Sequence, residues 1–270
     1  MQLLFRDSKL FLAFILITLL PIYLSCVKKS ADGRSSDSLI PDPALETAIK
    51  EALGIGGRAV TDSDLAELTK LEVPIGEEDE MLVKSLEGLQ HCVNLVELNL
   101  VYNDVSDLGP IADLTGLEMV YLMGNEVSDL GPIGNLTNLQ QLSLGSNKIS
   151  DISSLAGLTE LTMLELARNE ISDIDALAHL DRLEWLNLGF NNIQDIQILS
   201  EANRLDYLSL CDNQIEDIKP LVDNEGIDQG DEVDLAYNPL NEESAGRYLP
   251  LLAARGVDID AVTKQEYGLN

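Results

Sequence analysis

The chain has 270 residues, and 47 Asp and Glu against 17 Lys and Arg give it a formal charge of −30. Binding to nucleic acid needs a basic surface, so this charge predicts that the protein does not bind nucleic acid. The charge is typical of a self-repelling, exported protein, and it leaves open a basic partner or a bound cation.

Residues 1–25 predict a signal peptide. Arg6 and Lys9 precede an apolar run of 16 residues, which is shorter than the roughly 20 residues that a membrane span needs. The end of this run, "YLSC", resembles a bacterial lipobox, which implies that the mature chain starts at a lipidated Cys26. The alternatives are an uncleaved anchor and a signal peptide without lipidation. Residues 26–40 are small and polar, and we expect a flexible tether there.

Residues 41–68 predict two helices that cap the open end of the fold. Asp42 can cap the first helix, with Pro43 in its first turn, and Thr61 or Asp62 can cap the second. A repeat protein needs such a cap, because its first repeat would otherwise expose its apolar face.

Residues 69–238 repeat with a period of 22, and the first unit (69–94) is degenerate because "PIGEEDEM" is inserted in it. Each unit reads L-x-x-L-x-L-x-x-N-x-I-x-D-I, where the L-x-L segment predicts a short strand that turns at the Asn. The Asn column contains Asn103, Asn125, Asn147, Asn169, Asn191 and Asn213. The Asp column contains Asp107, Asp129, Asp151, Asp173, Asp195 and Asp217.

This unit resembles the leucine-rich repeat of the 22-residue class found in bacterial internalins. The resemblance implies an α/β solenoid with short parallel strands on the concave face and helical caps at both ends. Residues 239–270 resemble the C-terminal cap of that family. In this cap, Asn241 can begin a helix that ends near Gly256, and Pro250 predicts that the helix is kinked or split.

The two polar columns are expected to be structural. The Asn side chains can satisfy backbone groups at the turns, and the Asp side chains can accept N–H bonds on the crossing arc. One row of carboxylates supplies too few oxygens for calcium, and "DQGDEVD" lacks the order of a calcium loop. We therefore predict no metal site.

No catalytic motif or phosphate loop is recognisable, so we predict neither an enzyme nor a cofactor. His91 and His179 lie four periods apart, about 19 Å at the strand spacing, and cannot share a site. Cys92 falls in a core column, whereas Cys211 falls at an outward position.

The third, fifth, seventh and eighth positions of the repeat are predicted to face the concave side. Six of the eight aromatic residues beyond Cys26 fall in these columns, which favours a recognition surface over simple packing. The candidate partner-binding residues are Tyr102, Tyr121, Met163, Arg168, Trp185, Phe190, Tyr207 and Tyr237. Met163, Trp185 and Tyr207 should form one apolar strip. Its predicted polar rim consists of Glu165, Arg168, Asn187, Ser209 and Asp212.

The sequence thus favours a monomeric, lipid-anchored repeat scaffold of the cell envelope that binds a protein partner through its concave face. The alternatives are a carbohydrate-binding surface module and a purely structural envelope protein.

Overall fold

A computed structural model describes residues 38–73 and 82–262. In these residues nine short strands form one parallel sheet whose spatial order is the order of the chain. The strands are β1 (Lys70–Glu72), β2 (Glu97–Asn99), β3 (Met119–Tyr121), β4 (Gln141–Ser143), β5 (Met163–Glu165), β6 (Trp185–Asn187), β7 (Tyr207–Ser209), β8 (Glu232–Asp234) and β9 (Asp258–Asp260). The α-helices are α1 (Pro43–Leu53), α2 (Asp62–Glu67), α3 (Lys219–Asp223) and α4 (Leu249–Arg255). The predicted α/β solenoid is confirmed.

The leucines of each L-x-L segment build the core. Leu186, the middle residue of β6, and Leu188 are both fully buried, and so is Ile193 on the returning arc of the same repeat. One continuous apolar cluster runs from Ile40 to Val257. A single repeat, called a coil below, cannot cover its own leucines, so each coil depends on its neighbours for burial.

The asparagine that follows each of the strands β2 to β8 joins its coil to the preceding one. Asn147 Oδ1 accepts a hydrogen bond from Val127 N at 2.9 Å. Its Nδ2 donates to Leu144 O in its own coil and to Leu122 O in the preceding coil, each at 2.9 Å. The same three-bond pattern repeats at Asn125, Asn169, Asn191, Asn213 and Asn238. The structural role predicted for the Asn column is confirmed.

The aspartate column begins the arc on the opposite side of each coil. Asp129 Oδ1 accepts a hydrogen bond from Gly131 N at 2.8 Å, and the other five members of the column make the equivalent bond. A short helix follows each time: α3 after the last member and a 3₁₀ helix after the others. These five 3₁₀ helices are Gly109–Ile111, Gly131–Ile133, Ser153–Gly157, Asp175–Leu177 and Gln197–Glu201; a sixth, Leu89–His91, lies in the degenerate first coil, which has no member of the aspartate column. The predicted backbone-capping role of these carboxylates is confirmed.

The N-terminal helices are capped as the sequence predicts. Asp42 Oδ1 accepts from two N–H groups in the first turn of α1, at 2.9 and 3.0 Å. Its Oδ2 accepts from Lys84 N and Ser85 N, at 2.8 and 3.1 Å, so one carboxylate also ties α1 to the first coils. Thr61 caps α2 in a reciprocal capping box with Asp64.

The C-terminal helical segment runs through Pro250 without a break, and the irregularity is a π-helical turn just before this proline rather than a split into two pieces. Asn241 Oδ1 accepts a bond at 2.8 Å from the first N–H of a π-helical turn, Ser244–Tyr248, and α4 follows directly. Gly256, with φ +93°, ends α4 in the left-handed conformation that glycine tolerates best. Strand β9 was not predicted; it pairs with β8 and ends the sheet.

Several sequence predictions fall outside the described residues. These are the signal peptide (1–25), Cys26, most of the tether (26–40) and the insertion at 74–81. Among the helices of residues 38–73 and 82–262, none is both long enough and apolar enough to cross a bilayer.

We predict that Asn169→Ala lowers the free energy of unfolding by about 3 kcal/mol or more, because it leaves buried backbone groups of two coils without partners. The control is Asp173→Ala, which removes one exposed cap and should cost about 1 kcal/mol. Urea unfolding of both variants provides the measurement. Equal losses would contradict the assigned role of the asparagines.

Candidate functional site

The accessible part of the concave face consists mainly of two columns of side chains, the third and the eighth positions of the repeat. The third column is half-buried throughout and contains Glu97, Met119, Gln141, Met163, Trp185, Tyr207 and Glu232. In the eighth column Tyr102 and Arg168 are exposed, and the rest, Gly124, Ser146, Phe190, Asp212 and Tyr237, are half-buried. Both columns are open to contact, as the sequence predicts.

The prediction that the fifth and seventh columns also face solvent is only partly correct. Asn99, Tyr121, Asn187 and Asp234 in the fifth column are half-buried, as the third column is, but the other members are buried. Ser143, Glu165 and Ser209 in the fifth column are 0%, 6% and 2% exposed, and Gly145 and Gly189 in the seventh are also buried. Glu165 and Ser209 therefore do not belong to a polar rim. Neighbouring strands lie only about 4.8 Å apart, so side chains of adjacent coils close over the middle of the face.

Glu165 is the most unusual of these buried residues. Its Oε1 accepts from Ala167 N at 2.8 Å, and its Oε2 accepts from Asn187 Nδ2 at 2.9 Å. Burial raises the pKa of its carboxyl to about 7, although both hydrogen bonds oppose that rise. On the preceding coil, a Cβ at Gly145 would lie 3.0 Å from Glu165 Oε1. The adjacent Ser143 Oγ is buried without a hydrogen-bond partner among the described residues.

The predicted apolar strip is present in the third column. Strand register places Met163, Trp185 and Tyr207 side by side on β5, β6 and β7. The rings of Trp185 and Tyr207 stack with centroids 4.9 Å apart and planes 7° from parallel. Burial raises the pKa of the Tyr207 phenol, which keeps it uncharged.

A cation–π pair joins the coils of β5 and β6, at the point where the chain leaves each strand. The guanidinium carbon of Arg168 is 4.0 Å from the centroid of the Phe190 ring. Such a contact holds a charged side chain against an aromatic face and fixes the direction of both groups.

All members of the eighth column adopt the left-handed backbone conformation, a feature that the repeat pattern does not predict. Their φ angles are 56°, 72°, 54°, 58°, 57°, 49° and 66° for Tyr102, Gly124, Ser146, Arg168, Phe190, Asp212 and Tyr237. Residues other than glycine rarely adopt this region, and the only signal for it in the sequence is Gly124. The turn that brings each asparagine into the core imposes the conformation, so the eighth side chains project in a fixed direction.

The N-terminal aromatic residues make separate contacts. A Cβ at Gly124 would lie 2.4 Å from Cδ1 of Tyr102, so the Tyr102 ring packs on this glycine. Tyr121 OH donates to Gln141 Oε1 at 2.6 Å, and burial raises the pKa of this phenol to about 12. Tyr102 lies four coils from Phe190, about 19 Å at the strand spacing.

The eight candidate residues therefore do not form one site. Tyr102 and Tyr121 lie toward the N-terminal end of the sheet, and Tyr237 follows β8 near its C-terminal end. The remaining five lie on three consecutive coils and are called the central patch: Met163, Arg168, Trp185, Phe190 and Tyr207.

The described residues contain no group of three or more His, Cys, Asp or Glu that could hold a metal ion. His91 Nδ1 lies 3.0 Å from Asp62 Oδ1 beside the N-terminal cap, and His179 is exposed on a distant coil. Cys92 and Cys211 are free thiols, and burial raises the pKa of each to about 12.

We predict that Glu165 makes stability depend on pH. Its folded-state pKa of about 7 lies above its ordinary value of 4.5, so between these values the unfolded chain gives up the proton first. Ionisation then favours unfolding, and stability falls as pH rises through this window and levels off above it. Compared with Glu165→Gln, the wild type should lose of the order of 3 kcal/mol of unfolding free energy as pH rises across this window. Urea unfolding of both proteins at several pH values across this window measures the loss. A pH-independent difference between the two proteins would show an ordinary pKa.

Comparison with known families finds the same repeat. The family described as "Leucine Rich repeats (2 copies)" matches residues 115–157 and 137–179, and the family described as "Leucine Rich repeat" matches residues 91–112. Among curated proteins none matches at a significant level.

Solved structures of similar fold include an internalin, inlF, from Listeria monocytogenes, with 29% identity and a TM-score of 0.72 over 83% of this chain. Internalin C2 from the same organism has 32% identity and a TM-score of 0.73 over 83% of this chain. The plant peptide hormone receptor RGFR1 in complex with RGF2 has 25% identity and a TM-score of 0.51, over 65% of this chain and 30% of the receptor.

The chain spans 64% of the inlF structure but 95% of the internalin C2 structure. Identity of 32% over nearly the whole of internalin C2, together with the 22-residue coil and its asparagine ladder, defines the relationship. The chain therefore belongs to the internalin-like family of leucine-rich-repeat proteins.

Proposed function

We propose that this protein is an exported, lipid-anchored scaffold that binds a protein partner through the central patch of its concave face. The observation that carries the proposal is the stacked pair of Trp185 and Tyr207, continued by Met163, with the polar residues Gln141 and Glu232 at the two ends of this row. An apolar centre in polar surroundings is the usual anatomy of a protein-binding hot spot.

The fold itself does not require aromatic residues at these positions. The same column holds Glu97, Gln141 and Glu232 in other coils, where the strand and the asparagine ladder are formed equally well. Large apolar side chains at Trp185 and Tyr207 therefore add half-exposed area that packing does not need, which supports a binding role.

A polypeptide suits this patch better than a sugar. Sugar-binding platforms use an open aromatic face, whereas stacking covers one face of Trp185 and one face of Tyr207. A peptide hormone receptor shares the fold, which also supports a polypeptide partner. Carbohydrate binding remains the competing function, and a purely structural role is the third.

Export and anchoring rest on the N-terminal sequence. A basic start, a short apolar run and Cys26 support a signal peptide followed by a lipidated cysteine in the cell envelope. The tether of residues 26–40 would then separate the solenoid from the membrane surface.

We predict that Trp185→Ala weakens partner binding by about 2 kcal/mol or more while changing stability only modestly, because Trp185 projects outward. The matched control is its neighbour Leu186→Ala, which faces the core and should cost about 2–5 kcal/mol of stability. The partner is obtained by cross-linking the intact protein in its own cells, and affinity and melting are then measured for both variants.

The proposal fails if Trp185→Ala leaves the affinity unchanged or lowers stability as much as Leu186→Ala does. Binding on a glycan array that is lost in Trp185→Ala would instead establish the carbohydrate function.

We also predict that mass spectrometry of the mature protein finds Cys26 as its first residue, carrying acyl chains. Two or more chains would hold the protein stably at a membrane, whereas one chain holds weakly. A retained residue 1–25 segment or an unmodified Cys26 would rule out this form of anchoring.

A further inference from the structure

The column that carries the apolar strip turns acidic toward the C-terminal end of the sheet. Strand register places Glu232 of β8 beside Tyr207 and Asp258 of β9 beside Glu232. In the fifth column the buried Ser209 is followed by the half-buried Asp234 and the exposed Asp260. Val233, between the two acids of β8, is buried in the core, so both acids lie on the same outer face as Tyr207.

None of these four carboxylates forms an ion pair with the residues that the structure describes. Asp234 Oδ1 and Asp260 Oδ1 accept backbone bonds in the turns that follow their strands. Glu232 and Asp258 accept no such bond within residues 38–73 and 82–262. At the opposite end of the same column, Glu97 is neutralised by Lys70, whose Nζ lies 2.7 Å away.

Like charges placed directly opposite each other on neighbouring strands destabilise a sheet. Partial burial and the neighbouring carboxylates Asp258 and Asp234 raise the pKa of Glu232, which is the sign of uncompensated repulsion. Protection of an edge strand against aggregation explains charges on β9, but β8 lies inside the sheet and needs none. Asp234 has hydrogen-bond donors for both of its oxygens, Ala236 N and Ser209 Oγ, so Glu232 is the acid of β8 that points to a cation supplied from outside.

We infer that the partner is a polypeptide segment carrying a lysine or arginine next to the apolar residue that covers the central patch, with its cationic group over Glu232 and Asp258. This inference rests on the proposed function and adds the chemistry and the direction of the partner. Charge complementarity decides on which side of the patch the partner's cationic residue lies. Arg168 lies on the N-terminal side of the patch and would repel it, whereas the carboxylates lie on the C-terminal side.

The distances suit an extended peptide that crosses the strands. Tyr207 and Glu232 are one strand apart, about 4.8 Å, and Trp185 and Asp258 are three strands apart, about 14 Å. An extended chain advances about 3.3 Å per residue, so side chains two to four positions apart reach both the aromatic stack and the carboxylates.

The test uses a phage-displayed library of random dodecapeptides, panned on the purified protein and counter-selected on Trp185→Ala. Retained peptides are then titrated against the wild type and two double variants. Glu232→Gln with Asp258→Asn neutralises the proposed cation site. Asp113→Asn with Glu201→Gln removes the same charge from exposed residues on the opposite arc of the coils.

We expect the retained peptides to be enriched in lysine and arginine. Their affinity should fall about tenfold in the first double variant and at high salt, and stay within about twofold in the second. The first double variant should fold normally, because it removes two carboxylates that repel each other. Thermal melting of the variant checks that it does.

Two other results would overturn the inference. Peptides that need Trp185 but lack basic residues, or that bind both double variants equally well, would refute the cationic partner and leave the proposed function standing. Absence of any peptide dependent on Trp185 would overturn both, because no polypeptide would then use the patch.

Discussion

The hydrogen bonds of the asparagines that follow strands β2 to β8 are the interaction on which the rest of the molecule depends. At this turn the chain leaves the sheet, so backbone groups there lose their ladder partners while remaining buried. One side-chain amide supplies both a donor and an acceptor, and it satisfies groups in its own coil and in the preceding one. Because an unsatisfied buried backbone group is costly, the residue at this position sets the period of the chain and the spacing of the coils.

The ladder stays intact where the spacing between two of its asparagines changes. The step from Asn213 to Asn238 is three residues longer than the others, yet Ile215 N still donates to Asn238 Oδ1 at 3.0 Å. The additional length is absorbed between Asn213 and Asn238, on the arc that contains α3 and the loop before β8. A solenoid tolerates such insertions because the opposite arc has no fixed hydrogen-bond register to maintain.

The same constraint decides which side chains are available for recognition. The third and eighth columns are accessible, and between them lies the fifth column, in which the neighbouring coils cover Ser143, Glu165 and Ser209. This column is polar, and its hydrogen bonds, such as that from Asn187 to Glu165, are made within the protein. Contact surface is thus limited mainly to two narrow columns, in which the stack of Trp185 and Tyr207 and the adjoining acids of β8 and β9 stand out.

The sequence by itself determined the 22-residue coil, the strands, the capping roles of the Asn and Asp columns, the helix caps at Asp42 and Asn241, and the alignment of Met163, Trp185 and Tyr207. These follow from residues at fixed spacing, because each coil repeats the same local bonds. Only the tertiary structure decided that Glu165 is buried with a raised pKa, that β9 extends the sheet, and that the eighth column is left-handed. These features depend on how closely side chains of adjacent coils approach one another and on the path the chain must take to seat each asparagine. Such distances arise from packing between residues far apart in the chain, which no single coil encodes.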